Sequence, residues 1–102
     1  MTAQQTDRTG APTTVGRESD RFTISVEGRE VGFAEFSESA GRRSFFHTVV
    51  DRRFQGRGLA TILVAHALEA TRADGLRIVA PCWMVAEYIE KSGAYADLVD
   101  PA

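Results

Sequence analysis

The chain has 102 residues, of which 43% are hydrophobic, and this is enough for the core of one domain and no more. Twelve Lys and Arg against fourteen Asp and Glu give a formal net charge of -2, which argues against general nucleic-acid binding because that usually needs a basic surplus. The single cysteine, Cys82, excludes an internal disulfide and fits a reducing compartment, so we expect a cytoplasmic protein.

Residues 1–20 are predicted to form a flexible tail. Val15 is the one large aliphatic residue here after Met1, and Thr, Gln, Gly and Pro dominate the stretch. Such a composition buries too little apolar area to offset the entropy of ordering the chain. It also lacks the apolar segment of a signal peptide, and no later run is long enough to span a bilayer. The folded domain is therefore predicted to cover residues 21–102.

From residue 21 onward, alternating apolar residues predict three strands. Phe22, Ile24 and Val26 alternate in the first strand, and a second strand follows a turn at Gly28 to complete a hairpin. The third strand, residues 44–50, has apolar residues on both faces and is therefore predicted to be central. Strict alternation along it predicts one face with Phe45, His47 and Val49 and an opposite face with Phe46, Thr48 and Val50.

The second half of the domain is predicted to hold two helices and a fourth strand. The first helix begins at Leu59 and ends near Gly75, and the second covers residues 83–92. A short apolar strand, residues 76–82, lies between them, and residues 94–100 form a turn of helix or an edge strand. A strand–helix–strand order favours parallel pairing of the third and fourth strands. The fold class is therefore α/β or α+β, with a mixed, mostly antiparallel sheet and two packed helices.

The sequence DRRFQGRG, residues 51–58, joins the central strand to the first helix and predicts an anion site. The first N–H groups of a helix have no internal partner and carry the positive end of the helix dipole. Gly56 and Gly58 allow positive φ angles and a close approach of the ligand. Three arginines and one aspartate give the segment a charge of about +2. Phosphate is the natural ligand; the alternative is that the glycines only form a turn and the arginines only face solvent.

The pattern Arg53-x-x-Gly56-x-Gly58, between a central strand and a helix, resembles the [Q/R]-x-x-G-x-[G/A] signature of the GNAT superfamily of acyl-CoA-dependent N-acetyltransferases. The resemblance spans about residues 22–98 and is closest to the short single-domain subgroup with a cysteine after the fourth strand. It implies a minimal GNAT-like fold with a splayed parallel strand pair, and acetyl-CoA or coenzyme A as substrate. The implied coenzyme contacts are Val49, Arg52, Arg53, Gln55, Gly56, Arg57, Gly58, Leu59 and Ala60.

Acyl transfer from a thioester to an amine needs a proton acceptor for the amine, polarisation of the carbonyl and a proton for the leaving thiolate. The resemblance implies that Cys82 and His47 face one cleft between splayed strands, and that Tyr88 on the last helix acts as general acid. Each of these candidate catalytic residues has a structural alternative: an inert core thiol, a histidine bonded to a backbone carbonyl, or a packed tyrosine. No spacing typical of a metal site occurs in the sequence.

The leading expectation is an acetyl-CoA-dependent N-acetyltransferase that acts on an unidentified amine, either a small amine or a protein lysine. The alternatives are a non-catalytic acyl-CoA-binding module and a general nucleotide-phosphate site. No membrane or nucleic-acid partner is expected. The protein is predicted to be a monomer or a dimer, because an edge strand in so small a sheet is available for pairing.

Overall fold

The computed structural model describes residues 5–100, which form one six-stranded sheet and two α-helices. The strands follow one another across the sheet in chain order, and every neighbouring pair is antiparallel except β5 and β6. The strands are β1 Gln5–Thr6, β2 Pro12–Arg17, β3 Arg21–Val26, β4 Arg29–Ser39, β5 Arg42–Val50 and β6 Arg77–Val79. The helices are α1 Leu59–Ala73, between β5 and β6, and α2 Trp83–Ser92, after β6.

The N-terminal segment differs from the flexible tail that its composition predicted. Residues 1–4 lie outside the described part of the chain, but β1 and β2 extend the sheet beyond β3. Val15 lies opposite Ile24, and Thr13 lies opposite Val26. The prediction was wrong because an edge strand adds its main-chain hydrogen bonds to a sheet that is already folded, so it needs little apolar surface of its own.

Two side-chain contacts also fasten this segment to α1. Arg17 forms an ion pair with Asp74 at the end of the helix, with 2.7 Å between the nitrogen and the oxygen. The Gln5 side-chain oxygen lies 2.7 Å from the Nε2 atom of His66 on the same helix. These contacts tie both ends of the N-terminal segment to the helix.

From Arg21 onward the predicted order of three strands, a helix, a strand and a helix is confirmed. The β3–β4 turn places Glu27 and Gly28 at positive φ angles of 51° and 83°, as tight hairpin turns require. The C-terminal segment combines both predicted alternatives. It forms a short 3-10 turn, Ala96–Leu98, and then Val99 pairs with Ile78 as an isolated bridge.

The core lies between the sheet and the helices, with α1 packed across β3, β4 and β5 and α2 beside α1. Phe22, Phe36 and Phe45 form an aromatic cluster on this face, with ring centroids 5.2–6.4 Å apart. Arg43 is fully buried next to them and pairs with Glu38 and Asp74 at 2.8 Å each. A buried charge is stable only when it is paired in this way, so Arg43 fixes β5 against the end of α1.

A bulge at Phe46 changes the side-chain alternation of β5. Phe36 pairs with Phe45, but the next residue back along β4, Glu35, pairs with His47, so Phe46 is one extra residue. Phe45 before the bulge and Thr48 after it are therefore both buried, whereas Phe46 and His47 are both exposed. The predicted alternation along residues 44–50 was wrong because an extra apolar residue leaves no mark on the hydrophobic pattern.

The parallel pairing of β5 with β6 ends soon after it begins. It joins only Arg42 to Ser44 with Arg77 to Val79, and a last bond runs from Cys82 N–H to the Phe45 carbonyl at 3.1 Å. Beyond this point β5 continues beside β4 to Val50. Within residues 5–100 no strand covers its other side. We call residues 46–50 on that side the free edge of β5.

Neither helix in the described part of the chain has the length and hydrophobicity needed to cross a bilayer.

The pairing of β2 with β3 predicts slow amide hydrogen exchange in the N-terminal segment. Alternate N–H groups of β2 are bonded to β3, so they should exchange more than about tenfold more slowly than those of an unstructured peptide. Hydrogen exchange followed by NMR at neutral pH measures this. Exchange of all β2 amides at the unstructured rate would show that the segment is a flexible tail after all.

Candidate functional site

The loop between β5 and α1, residues 51–58, has the backbone conformation that its sequence predicts. The Asp51 carboxylate accepts a bond from the Arg53 N–H at 2.9 Å and opens a 3-10 turn, Arg52–Phe54. Gly56 and Gly58 follow with φ angles of 80° and 79°. These values lie in the left-handed region that residues with a side chain rarely adopt, so both glycines are required by the path of the chain.

Several backbone donors are left free where this loop enters α1. The first bond of the helix runs from Ile62 N–H to the Gly58 carbonyl at 3.2 Å. The N–H groups that precede it donate to no acceptor within residues 5–100; they belong to Gly56, Arg57, Gly58, Leu59, Ala60 and Thr61. Together with the dipole of a 15-residue helix, they form a favourable position for an anion.

A cavity of about 250 Å³ lies against these donors. It adjoins a larger groove of about 470 Å³ between α1 and α2, with which it shares Ala60, Thr61 and Met84. The other residues that line the smaller cavity are Arg8, Val50, Phe54, Gln55, Gly56, Gly58 and Leu59. The two cavities together offer space for a ligand much larger than a single phosphate.

The three arginines of the loop differ in whether their guanidinium groups are paired with a carboxylate. Arg57 is held by Asp7, with its Nε 2.7 Å from the carboxylate, and the Asp7 side chain is completely buried. Arg53 is paired with Asp51 at 3.2 Å, and this interaction holds the pKa of Asp51 below its usual value. Arg52 is exposed and forms no ion pair within the described residues. Of the three predicted phosphate ligands, the structure therefore leaves the guanidinium of Arg52 unpaired.

The structure brings a further arginine to this loop. It is Arg8, which the sequence predicts to lie in a flexible tail. Its N–H donates to the Arg57 carbonyl at 3.0 Å, and its guanidinium lies 3.5 Å from the Gly56 carbonyl. The signal that could have revealed this contact is Asp7-x-Thr9-Gly10, since an Asp followed two residues later by Thr and then Gly is typical of a side-chain-capped turn.

Cys82 lies at the start of α2, against the helix-facing side of β5. Its Sγ is 3.5 Å from the Oγ1 of Thr48, and the residue is buried. Burial raises the pKa of the thiol, but the Thr48 hydroxyl and the nearby backbone N–H groups of Val85 and Met84 together outweigh it, so the net pKa is lowered. Thiols at helix starts are activated in this way.

His47 does not share a cleft with Cys82. Because of the bulge, its side chain lies on the outer face of the sheet, the face away from α1. There its Nδ1 is 3.0 Å from the Glu35 carboxylate, and its ring packs edge-on against Phe33. The predicted pair of His47 and Cys82 in one cleft is therefore wrong. Val49 also lies outside both cavities, and its neighbour Val50 lines the smaller one.

Tyr88 shares neither cavity with Cys82 or His47. It lines the larger groove between α1 and α2 and does not line the smaller cavity beside the loop. The structure thus places the three predicted catalytic residues in three different environments. Within residues 5–100 no group of three or more His, Cys, Asp or Glu side chains could hold a metal ion.

Both the sequence and the fold of this chain are similar to those of known proteins. A sequence model described as GCN5-related N-acetyl-transferase matches residues 21–98. The chain belongs to this family, abbreviated GNAT, and its mixed sheet with one parallel pair is the GNAT fold. No curated protein matches the chain.

Several solved structures share the fold at low sequence identity. A GCN5-like protein from Staphylococcus aureus superposes with a TM-score of 0.68 at 21% identity, over 87% of this chain and 89% of that one. The ribosomal-protein-S18-alanine N-acetyltransferase from Escherichia coli has a TM-score of 0.62 at 18% identity, over 76% of this chain and 54% of that one. The GNAT chain described here thus matches about half the length of the E. coli enzyme.

A third structure carries a coenzyme derivative. It is the aminoglycoside N-acetyltransferase AAC(6′)-Iy in complex with the bisubstrate analogue CoA-S-monomethyl-acetylneamine. It has a TM-score of 0.55 at 17% identity, over 83% of this chain and 68% of that one. At such identities the similarity concerns the fold alone.

The environment of Cys82 predicts a thiol that ionises below its ordinary pKa of 9.0. Replacing Thr48 with valine keeps the burial and removes the hydroxyl, so the thiol pKa should rise. The pH dependence of the alkylation rate with iodoacetamide measures the pKa in each protein. Thr23→Val is the matched control, because Thr23 is equally buried but pairs with Phe33 on the outer face. Equal pKa values in the Thr48→Val and Thr23→Val proteins would contradict this explanation.

Proposed function

We propose that this GNAT protein is an acetyl-CoA-dependent N-acetyltransferase that transfers an acetyl group to an amine. The observation that carries the proposal is the set of free N–H groups at the start of α1, directly beside the free edge of β5. The first feature suits a diphosphate, and the second suits an extended chain that contains amides. Coenzyme A joins these two chemical groups in one molecule.

In this proposal the diphosphate of the coenzyme accepts hydrogen bonds from the N–H groups of Gly56, Gly58 and Ala60, and Arg52 adds a positive charge nearby. The pantetheine arm extends along the free edge of β5, where unpaired main-chain groups can bond to its two amides as an added strand would. The groove between α1 and α2 offers room for the rest of the coenzyme. Hydrogen bonds to charged groups contribute roughly 1.5–3 kcal/mol each, so a few of them support micromolar affinity.

Along this path the thioester would reach the part of β5 against which Cys82 packs. The amine nitrogen attacks the acetyl carbon, the carbon–sulfur bond breaks, and the coenzyme leaves as a thiolate that needs a proton. We propose that Cys82 contacts the acyl group and supplies this proton, with Thr48 and the start of α2 stabilising the thiolate that remains. Solvent removes the proton from the amine and returns one to Cys82. His47 takes no part in this scheme, and Tyr88 lines the groove that is offered to the coenzyme without a role in proton transfer.

The alternative, a non-catalytic acyl-CoA-binding module, is favoured by one observation. The groups that shift the pKa of Cys82 are a hydroxyl and backbone N–H groups, and none of them is ionisable. Within residues 5–100, therefore, no carboxylate or histidine is coupled to the thiol that could also serve as the base for the attacking amine. A protein of this kind would bind the coenzyme by the same loop without efficient transfer.

Turnover of acetyl-CoA with a panel of amines distinguishes the two functions. Release of coenzyme A is followed by chromatography, because a thiol reagent would also react with Cys82. An acetyltransferase should release coenzyme A faster with at least one amine than without any, and Cys82→Ala should slow this by about tenfold or more, since a positioned acid contributes at least that much. Cys82→Ala with full turnover would exclude the proposed role of the thiol. Coenzyme binding with turnover only at the hydrolysis rate would show a binding module.

The path of the loop predicts a specific effect of Gly58→Ala on coenzyme affinity. An added Cβ would force the residue out of its positive φ angle and turn the neighbouring N–H groups away from the ligand. Affinity measured by calorimetry should fall about tenfold, as expected when one charged hydrogen bond is lost.

Gly41→Ala is the matched control for this measurement. Gly41 has a similar φ of 77° in the β4–β5 turn and, like Gly58, meets no backbone atom with an added Cβ. The two variants should lose similar stability, and only Gly58→Ala should lose affinity. Equal affinities in both variants would show that the diphosphate does not bind at this loop.

A further inference from the structure

The segment that joins β1 to β2, residues 7–11, packs directly on the loop at the start of α1. We call this segment the N-terminal strap. The Arg57 guanidinium contacts both the Asp7 carboxylate at 2.7 Å and the Thr9 hydroxyl at 3.2 Å. Arg8 lies between these two strap residues, and its backbone N–H donates to the Arg57 carbonyl at 3.0 Å. The strap lies before residues 21–98, the part of the chain that the family model matches.

Inside the strap, Asp7 is held in one position. Its first carboxylate oxygen accepts bonds from the Thr9 N–H, the Thr9 hydroxyl and the Ala11 N–H, at 2.6–3.0 Å, and its second binds Arg57. The Thr9 hydroxyl contributes most to lowering the pKa of Asp7 to about 2, against the opposing effect of burial. The carboxylate therefore stays charged at every physiological pH, and Arg57 stays paired with it.

The strap changes which cation is available to a ligand. The charge of Arg57 is neutralised by Asp7, and the charge of Arg53 is neutralised by Asp51. Arg8 forms no ion pair within residues 5–100, is exposed, and lines the cavity beside the free N–H groups. Its side chain passes directly beside Gly58, since a Cβ there would lie in van der Waals contact with the Arg8 Nε, at 3.4 Å.

We propose that Arg8 binds the diphosphate of the coenzyme, and that Asp7 positions Arg8 by fastening the strap to the loop through Arg57. This proposal rests on the proposed function, because it assumes that the diphosphate lies against the start of α1. The guanidinium suits this ligand because its planar donors match the geometry of phosphate oxygens. The family resemblance implied Arg52, Arg53 and Arg57 as coenzyme contacts; the strap occupies Arg57 and presents Arg8 beside the same loop.

The test compares coenzyme A affinity of the full-length protein and its Arg8→Ala variant by calorimetry. Loss of a charged hydrogen bond to phosphate should weaken binding about 10- to 100-fold. Arg72→Ala is the matched control, because it removes the same charge from an exposed arginine in the last turn of α1, at the far end of the helix from the loop. Its affinity should equal that of the wild type. Unchanged affinity in Arg8→Ala overturns the proposal.

Two ligand analogues identify the phosphate that Arg8 binds. Dephospho-coenzyme A keeps the diphosphate and lacks the 3′-phosphate, so Arg8→Ala should weaken its binding by the same factor. If the effect disappears with this analogue, Arg8 contacts the 3′-phosphate and the diphosphate assignment is overturned. Acetyl-pantetheine has no phosphate, and its binding should not respond to Arg8→Ala; an equal loss with this ligand shows that the substitution acts through the fold and also overturns the proposal.

The positioning role of Asp7 is tested by a double-mutant cycle. Asp7→Asn should weaken coenzyme A binding in the protein that has Arg8 and have little further effect in the Arg8→Ala background, because the two residues act through one contact. Additive effects on affinity would overturn the positioning role. If the wild-type protein does not bind coenzyme A at all, the proposed function is excluded, and the role of Arg8 is excluded with it.

Discussion

The arrangement of the candidate site depends on the single extra residue that Phe46 inserts into β5. The bulge places Thr48 on the helix-facing side of the sheet, where it meets Cys82, and sends His47 to the outer face with Glu35. Pairing with β6 ends just before the bulge, so the remainder of β5 keeps a free edge. Without the extra residue, the alternation of β5 would continue and the thiol would face a different side chain. Bulges next to functional sites redirect side chains in this manner.

Charge pairing decides which groups of the loop remain available to a ligand. Two of the loop's three arginines are paired with carboxylates, and the strap that pairs Arg57 also brings Arg8 to the same cavity. The helix start supplies N–H donors whose positions follow from two positive φ angles. Binding in this arrangement would combine fixed backbone donors with one or two flexible cations. Because donors that are already in place need no reordering, such a site loses less entropy on binding than a set of mobile side chains would.

The sequence predicted the fold from Arg21 onward and the conformation of the loop, because alternation, helical spacing and glycine each act locally. It failed where distant contacts decide the structure. The strands before Arg21 are ordered by pairing with β3 and by the bond between Asp7 and Arg57, residues that are fifty positions apart. The face on which His47 lies was misassigned because a bulge depends on pairing with β4 and not on the composition of β5. The role of Tyr88 rested on the family resemblance alone, and the structure places this residue in a groove that Cys82 does not line.

The proposed coenzyme site combines the start of α1 with the free edge of β5. Titration of the isotope-labelled protein with coenzyme A, followed by the NMR shifts of its backbone amides, tests this most directly. We expect the largest shifts on Gly56, Gly58 and Ala60, and smaller ones on Arg8 and along residues 46–50. Shifts that cluster instead on the outer face around Phe33, with none at the loop, would contradict it.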